Sequence, residues 1–136
     1  MQKYLINSIV NTRGLASRLV KLFVPGSTFF LTGPVGAGKS TLVRLMLNEL
    51  GIDYRGSPTF GLLNVYDTAY SYKIVHMDLY HKPTNILQEI YGLQDGVLLI
   101  EWAANDESIK ELFPDPIVIE LSLEDGFREA KISTIL

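Results

Sequence analysis

The chain has 136 residues, of which 47% are hydrophobic and 20% charged, and its net charge is −3. This suits one domain over residues 1–136, large enough to bury roughly two-thirds of its unfolded surface, and excludes a disordered chain. The absence of cysteine excludes disulfides and thiolate metal sites, and an acidic balance with five arginines lacks the electropositive footprint of a protein that grips a nucleic-acid backbone unaided.

In chain order, the opening Met1-Gln2-Lys3-Tyr4 is not the apolar segment of a signal peptide, and no run reaches membrane-spanning length, so a cytoplasmic location is expected. Tyr4, Leu5 and Ile6 predict a short edge strand. Ser8 or Asn11 then caps a helix running to about Leu22, in which Leu15, Ala16, Leu19, Val20 and Leu22 recur at three- and four-residue spacing. Pro25-Gly26 ends that helix, and residues 27–31 form an apolar, β-rich run.

Residues 33–40 read GPVGAGKS, which fits G-x-x-x-x-G-K-[ST], a phosphate-binding loop, with Thr41 directly behind. Gly33, Gly36 and Gly38 allow the backbone N–H groups, Ala37 included, to turn inward at phosphate oxygens. Lys39 is placed to reach the β- and γ-phosphates, and the Ser40 hydroxyl suits Mg²⁺. The helix that follows points its positive dipole end at the anion and stops near Leu50-Gly51. A strand before and a helix after are the context the motif requires.

Residues 54–60 are rich in turn formers. Residues 62–66 and 73–78 predict two strands of an antiparallel hairpin. A short helix is expected over residues 85–91, capped by Thr84 and closed by Gly92. Val97-Leu98-Leu99-Ile100 is an uninterrupted apolar run, the mark of a strand buried on both faces, and Glu101-Trp102 follow where ligands bind in open α/β sheets. A helix over 106–113 and strands over 116–121 and 128–135, joined by the Glu124-Asp125-Gly126 turn, complete the chain. The fold class is α/β: a P-loop NTPase-like three-layer sandwich with a mixed sheet and an antiparallel C-terminal hairpin.

A phosphate loop needs an acid beside Mg²⁺, and Asp78 and Glu101 both stand at strand ends suited to that task. One ligates the metal while the other orients the attacking water. His76 and His81 flank Asp78 without a third ligand, so a packed or exposed imidazole is expected rather than zinc. Trp102 reads as core, with base stacking open through its place beside Glu101. An alternative activity is a small-molecule or nucleotide kinase, although the residues 80–96 that would form its lid contain no arginine. A non-hydrolysing nucleotide-dependent adaptor is a third class.

Together these stretches resemble the TsaE (YjeE) family, the small ATPase of bacterial tRNA threonylcarbamoyladenosine synthesis. The resemblance rests on a threonine at position 12, the GAGKS-T loop, SPTF at 57–60, HMDLY at 76–80, LIEW at 99–102 and Gly126-x-Arg128. It implies ATP and Mg²⁺ as cofactors and Ser40 and Glu101 as Mg²⁺ ligands. Asp78 is implied to be the acid tied to hydrolysis, Thr59 part of a switch segment, and Thr12, Trp102 and Arg128 residues near the nucleotide. It also implies TsaD and TsaB as partners, tRNA met only through that complex, no membrane, and leaves nucleotide-dependent self-association open. Pro34 stands where the family commonly has an acid, and Ala103-Ala104-Asn105 where it continues with proline and arginine.

Overall fold

The computed structural model describes residues 1–58, 63–81 and 86–136. Expectations that fall on Thr59, Thr84 and Asn85 therefore lie outside the described residues. The rest builds one seven-stranded sheet flanked by helices on both faces.

In chain order the strands are β1 (Gln2–Leu5), β2 (Thr28–Thr32), β3 (Leu63–Tyr66), β4 (Ile74–Asp78), β5 (Val97–Glu101), β6 (Ile117–Glu124) and β7 (Phe127–Ile132). The helices are α1 (Ile9–Leu19), α2 (Lys39–Glu49), α3 (Ile86–Glu89) and α4 (Glu107–Leu112). Across the sheet the order is β1-β7-β6-β2-β5-β4-β3. The four strands from β6 to β4 run parallel, and antiparallel partners are added at both ends: β3 beside β4, β7 beside β6, and β1 beside β7.

Local sequence accounts for most element ends. Ser8 Oγ accepts the Asn11 N–H at 3.1 Å and so caps α1, whose last turn tightens into a 3₁₀ turn over Val20–Leu22 rather than continuing as α-helix. Asp106 Oδ1 accepts the N–H groups of Ser108 and Ile109 and starts α4 in the same way. The β6–β7 hairpin turns at Asp125 and Gly126, both at positive φ.

Alternation along the strands divides the interior into two layers. Phe29 and Leu31 of β2, Ile74 of β4, and Val97 and Leu99 of β5 pack with α1 and α2 through Leu15, Leu19, Leu42 and Met46. Phe30, Val75, Met77, Leu98 and Ile100 face the other way, toward Ile86 of α3 and Ile109 of α4. Each fully buried aliphatic side chain contributes about 1.5–3 kcal/mol. Because β5 is apolar on both faces from Val97 to Ile100, its first ionisable side chain is Glu101 at the carboxyl end, level with Asp78 at the end of β4.

Candidate nucleotide site

The phosphate loop joins the end of β2, the central strand, to the first turn of α2. Gly33 lies at φ 138°, and a Cβ there would stand 2.4 Å from the Leu121 carbonyl oxygen, so the backbone passes β6 closer than any side chain permits. Gly38 lies at φ 110° and serves as the N-cap of α2. Its left-handed conformation turns the chain into the helix, whose first N–H groups are left without intrahelical acceptors. These two constraints set the loop's start and finish.

Lys39 is 6% exposed. Its Nζ donates to the carbonyls of Gly33 and, at 3.1 Å, Pro34, and sits 4.4 Å from the centre of the Trp102 ring. Burial lowers its pKa below the usual lysine value, while the nearby carboxylates of Glu101 and Asp78 oppose that shift. The loop thus holds its cation folded back on itself, beside the two acids.

Those acids are brought together by register: Asp78 at the end of β4 lies directly opposite Glu101 at the end of β5. Asp78 is half-buried and accepts the Tyr80 N–H at 3.0 Å. Burial raises its pKa above the usual aspartate value, and the charge of Glu101 adds to that, against the opposing pull of the Tyr80 hydrogen bond, His76 and Lys39. Glu101 is 2% exposed, and its Oε2 lies 2.6 Å from Nε2 of His76.

A cavity of about 800 Å³ opens here. It is lined by Gly36, Ala37, Gly38, Lys39, Ser40 and Thr41 from the loop, by Asp78, Glu101 and Trp102 from the strand ends, and by Thr12 of α1 and Arg128 of β7. Gly33 does not line it, in keeping with its packing against β6, and Thr59 is outside the described residues. Thr12 is buried, with its Oγ1 donating to the Ser8 carbonyl at 3.0 Å. Arg128, on β7, reaches back so that its Nε donates to the Gly36 carbonyl at 3.4 Å, and its backbone N–H donates to Asn7 Oδ1 at 2.7 Å.

Several further residues belong to the site. Ile6, Asn7 and Ser8, between β1 and α1, and Ile9, the first residue of α1, line the cavity, as do Tyr80 and His81. No local sequence signal marks the first group, because it arrives through pairing of β1 with β7, over a hundred residues away. His76 is fully buried against Glu101 and is neither exposed nor apolar filling. Its position two residues before Asp78 in a strand was the available signal, since alternation puts both on one face.

Behind the loop, Ser40 Oγ lies 3.5 Å from Ser57 Oγ, which lies 3.4 Å from the Tyr54 hydroxyl. The stretch between Tyr54 and Ser57 is pinned to β3. Tyr66 Oη accepts the Arg55 N–H at 3.1 Å, Asn64 Nδ2 donates to the Gly56 carbonyl at 3.0 Å, and the Arg55 guanidinium lies over the Tyr66 ring.

The donor set fits Mg²⁺ and a polyphosphate: the Ser40 hydroxyl, two carboxylates and a lysine share a cavity with the glycine-rich loop, in which the Ala37 N–H donates to the Pro34 carbonyl at 3.1 Å. Among the described residues no group of three or more His, Asp or Glu side chains is arranged to hold a metal ion.

A glycine-rich loop between the central strand of a parallel core and a helix, beside paired acids at the carboxyl edge, defines a nucleotide-binding protein of the P-loop class. The profile of the family described as "Threonylcarbamoyl adenosine biosynthesis protein TsaE" matches residues 6–131. A protein from Aquifex aeolicus, "tRNA threonylcarbamoyladenosine biosynthesis protein TsaE", is 30% identical over 136 residues, covering 97% of this chain and 96% of that relative. A protein of the same name from Rickettsia conorii is 34% identical, with 96% and 75% covered. The crystal structure of YdiB from Bacillus subtilis superposes with a TM-score of 0.74 at 26% identity, covering 96% of this chain and 83% of that one. This chain belongs to the TsaE family.

Proposed function

We propose that this protein is a Mg²⁺-dependent ATPase that serves tRNA threonylcarbamoyladenosine modification, working in the cytoplasm with TsaD and TsaB and meeting tRNA through that assembly. The observation that carries the reading is the convergence of Lys39, Ser40, Asp78 and Glu101 on one cavity below a phosphate loop. Family membership supplies the pathway. The net charge of −3 agrees with RNA being held mainly by partners.

Each residue then has a task. The loop N–H groups and the start of α2 bind the phosphates, and Lys39 exchanges the Gly33 and Pro34 carbonyls for β- and γ-phosphate oxygens. Ser40 and Glu101 hold Mg²⁺, which when bound neutralises charge on the phosphate oxygens. Asp78, partly desolvated, orients the attacking water and takes its proton, a role helped by its raised pKa. Trp102 lies at φ 59°, a conformation rare for a tryptophan, which aims its ring at the Lys39 ammonium. Arg128 closes the cavity from the C-terminal hairpin and Thr12 bounds it from α1, while the SPTF resemblance alone assigns Thr59 to a segment that responds to the γ-phosphate. Turnover by the isolated protein is slow, since Arg128 is the sole arginine lining the cavity among the described residues.

Two measurements test this. ATP hydrolysis by the protein alone should be slow, Mg²⁺-dependent and faster in the presence of TsaB and TsaD, and a pull-down should show association under ATP. Absence of association would overturn the pathway reading, and phosphoryl transfer to a metabolite faster than to water would replace the ATPase with a kinase.

A further inference from the structure

His76 occupies the middle of β4, directly across from Leu99 of β5, at 0% exposure. On that face Ile74 and Leu99 are aliphatic and fully buried, while Asn64 of β3 lies directly across from it and Asp78 two residues on, so the imidazole stands where the apolar layer meets the polar strand ends. The imidazole carries a penalty. Its Nδ1 is buried without a hydrogen-bond partner among the described residues, a cost a leucine would not carry.

The compensation is visible on the other ring nitrogen. A carboxylate only accepts, so toward an ionised Glu101 the 2.6 Å contact has Nε2 as the donor. The contact engages Oε2 of Glu101. Oε1 makes no hydrogen bond within the described residues, and Glu101 lines the cavity. The histidine itself does not line that cavity, so it acts on a ligand only through the glutamate.

We propose that His76 is a positioning residue: it holds the Glu101 carboxylate by Oε2, so that Oε1 is presented to the cavity in one fixed orientation for Mg²⁺. This rests on the reading of Glu101 as a metal-side acid. Without the imidazole the carboxylate keeps its charge but loses the bond that sets its side-chain torsions. A mobile ligand binds metal more weakly, and loss of such a supporting bond typically lowers metal affinity by about 10–100-fold. Nucleotide binding without metal rests on the loop and Lys39, so it stays as it is.

The test measures affinity of the full chain for a non-hydrolysable ATP analogue, in Mg²⁺ and again in EDTA, for wild type, H76L, H76A, H76Q and E101A, with melting curves of each protein free of ligand. H76L should melt at or above wild type, because it removes the orphaned nitrogen. H76A serves the same comparison should leucine prevent folding. Both should bind the analogue in EDTA within about twofold of wild type but lose about tenfold of the tightening that Mg²⁺ brings. H76Q, whose amide can donate to the same oxygen, should recover most of it. Equal loss in H76Q and H76L overturns the proposal, as does full Mg²⁺ tightening in H76L when E101A has lost it. If E101A itself keeps the tightening, the metal-side reading of Glu101 falls and the role of His76 falls with it.

Discussion

The two faces of the sheet are made by the same strands and behave differently. On the α3–α4 side, Phe30, Val75, Met77, Leu98 and Ile100 form a dry layer, and the one buried charge of its helices, Asp106, is spent on capping α4. On the α1–α2 side the apolar run is broken by the buried His76 in the middle of β4, and beyond it a partly desolvated lysine and two opposed carboxylates share one cavity. The first layer is at rest, with its polar groups satisfied. The second gathers the ionisable side chains of Lys39, Asp78 and Glu101 on one cavity, which is how a site differs physically from a core.

Substitutions in the two layers should therefore separate stability from binding. Leu98→Ala, in the dry layer, should cost about 2–5 kcal/mol in urea unfolding while leaving nucleotide affinity of the folded fraction unchanged. Lys39→Ala should do the reverse, weakening ATP by about a hundredfold or more in calorimetry with little loss of stability, since it removes charge-assisted bonds to phosphate. A large fall in melting temperature for Lys39→Ala would break the distinction. Glu101→Ala should lower the Mg²⁺-dependent part of affinity about tenfold. If it matches wild type in single-turnover hydrolysis, the metal assignment passes to Asp78.

The smallest expected effect tests the electrostatics. Asp78 holds its proton more tightly folded than unfolded, chiefly because it is buried. Its ionisation therefore withdraws stability as pH rises from the unfolded value, near 3.8, through the higher folded one. Asp78→Asn should raise the melting temperature of the ligand-free protein at neutral pH in EDTA, and the gain should vanish below the unfolded value. A gain that persists at acid pH would mean that the substitution acts through packing rather than charge.

Much of this was legible in the sequence because local rules carried it. The glycine spacing, the apolar run at 97–100 and the Pro25-Gly26 stop placed the loop between β2 and α2 and put Glu101 at a strand end. The hairpin of β3 and β4 followed from two strand-like stretches, although each strand begins one residue later than expected, at Leu63 and Ile74. What stayed hidden depends on register and long-range pairing. Nothing in HMD says that His76 reaches Glu101, because that contact needs β4 aligned with β5 so that Asp78 meets Glu101. The left-handed backbone of Trp102 was equally invisible, since tryptophan rarely adopts it.

The strand order also governs how the protein is made. Among the described residues β1 pairs with β7 alone, and Asn7 and Ile6 are tied to the backbone of Arg128. During synthesis β1 leaves the ribosome long before the strand that will pair with it. The edge of the nucleotide cavity formed by residues 6–9 and Arg128 is thus absent from every nascent chain that stops short of β7. Truncation within the β6–β7 hairpin should abolish ATP binding even though every loop residue is present, and a growing chain acquires its ligand only once β7 has been made.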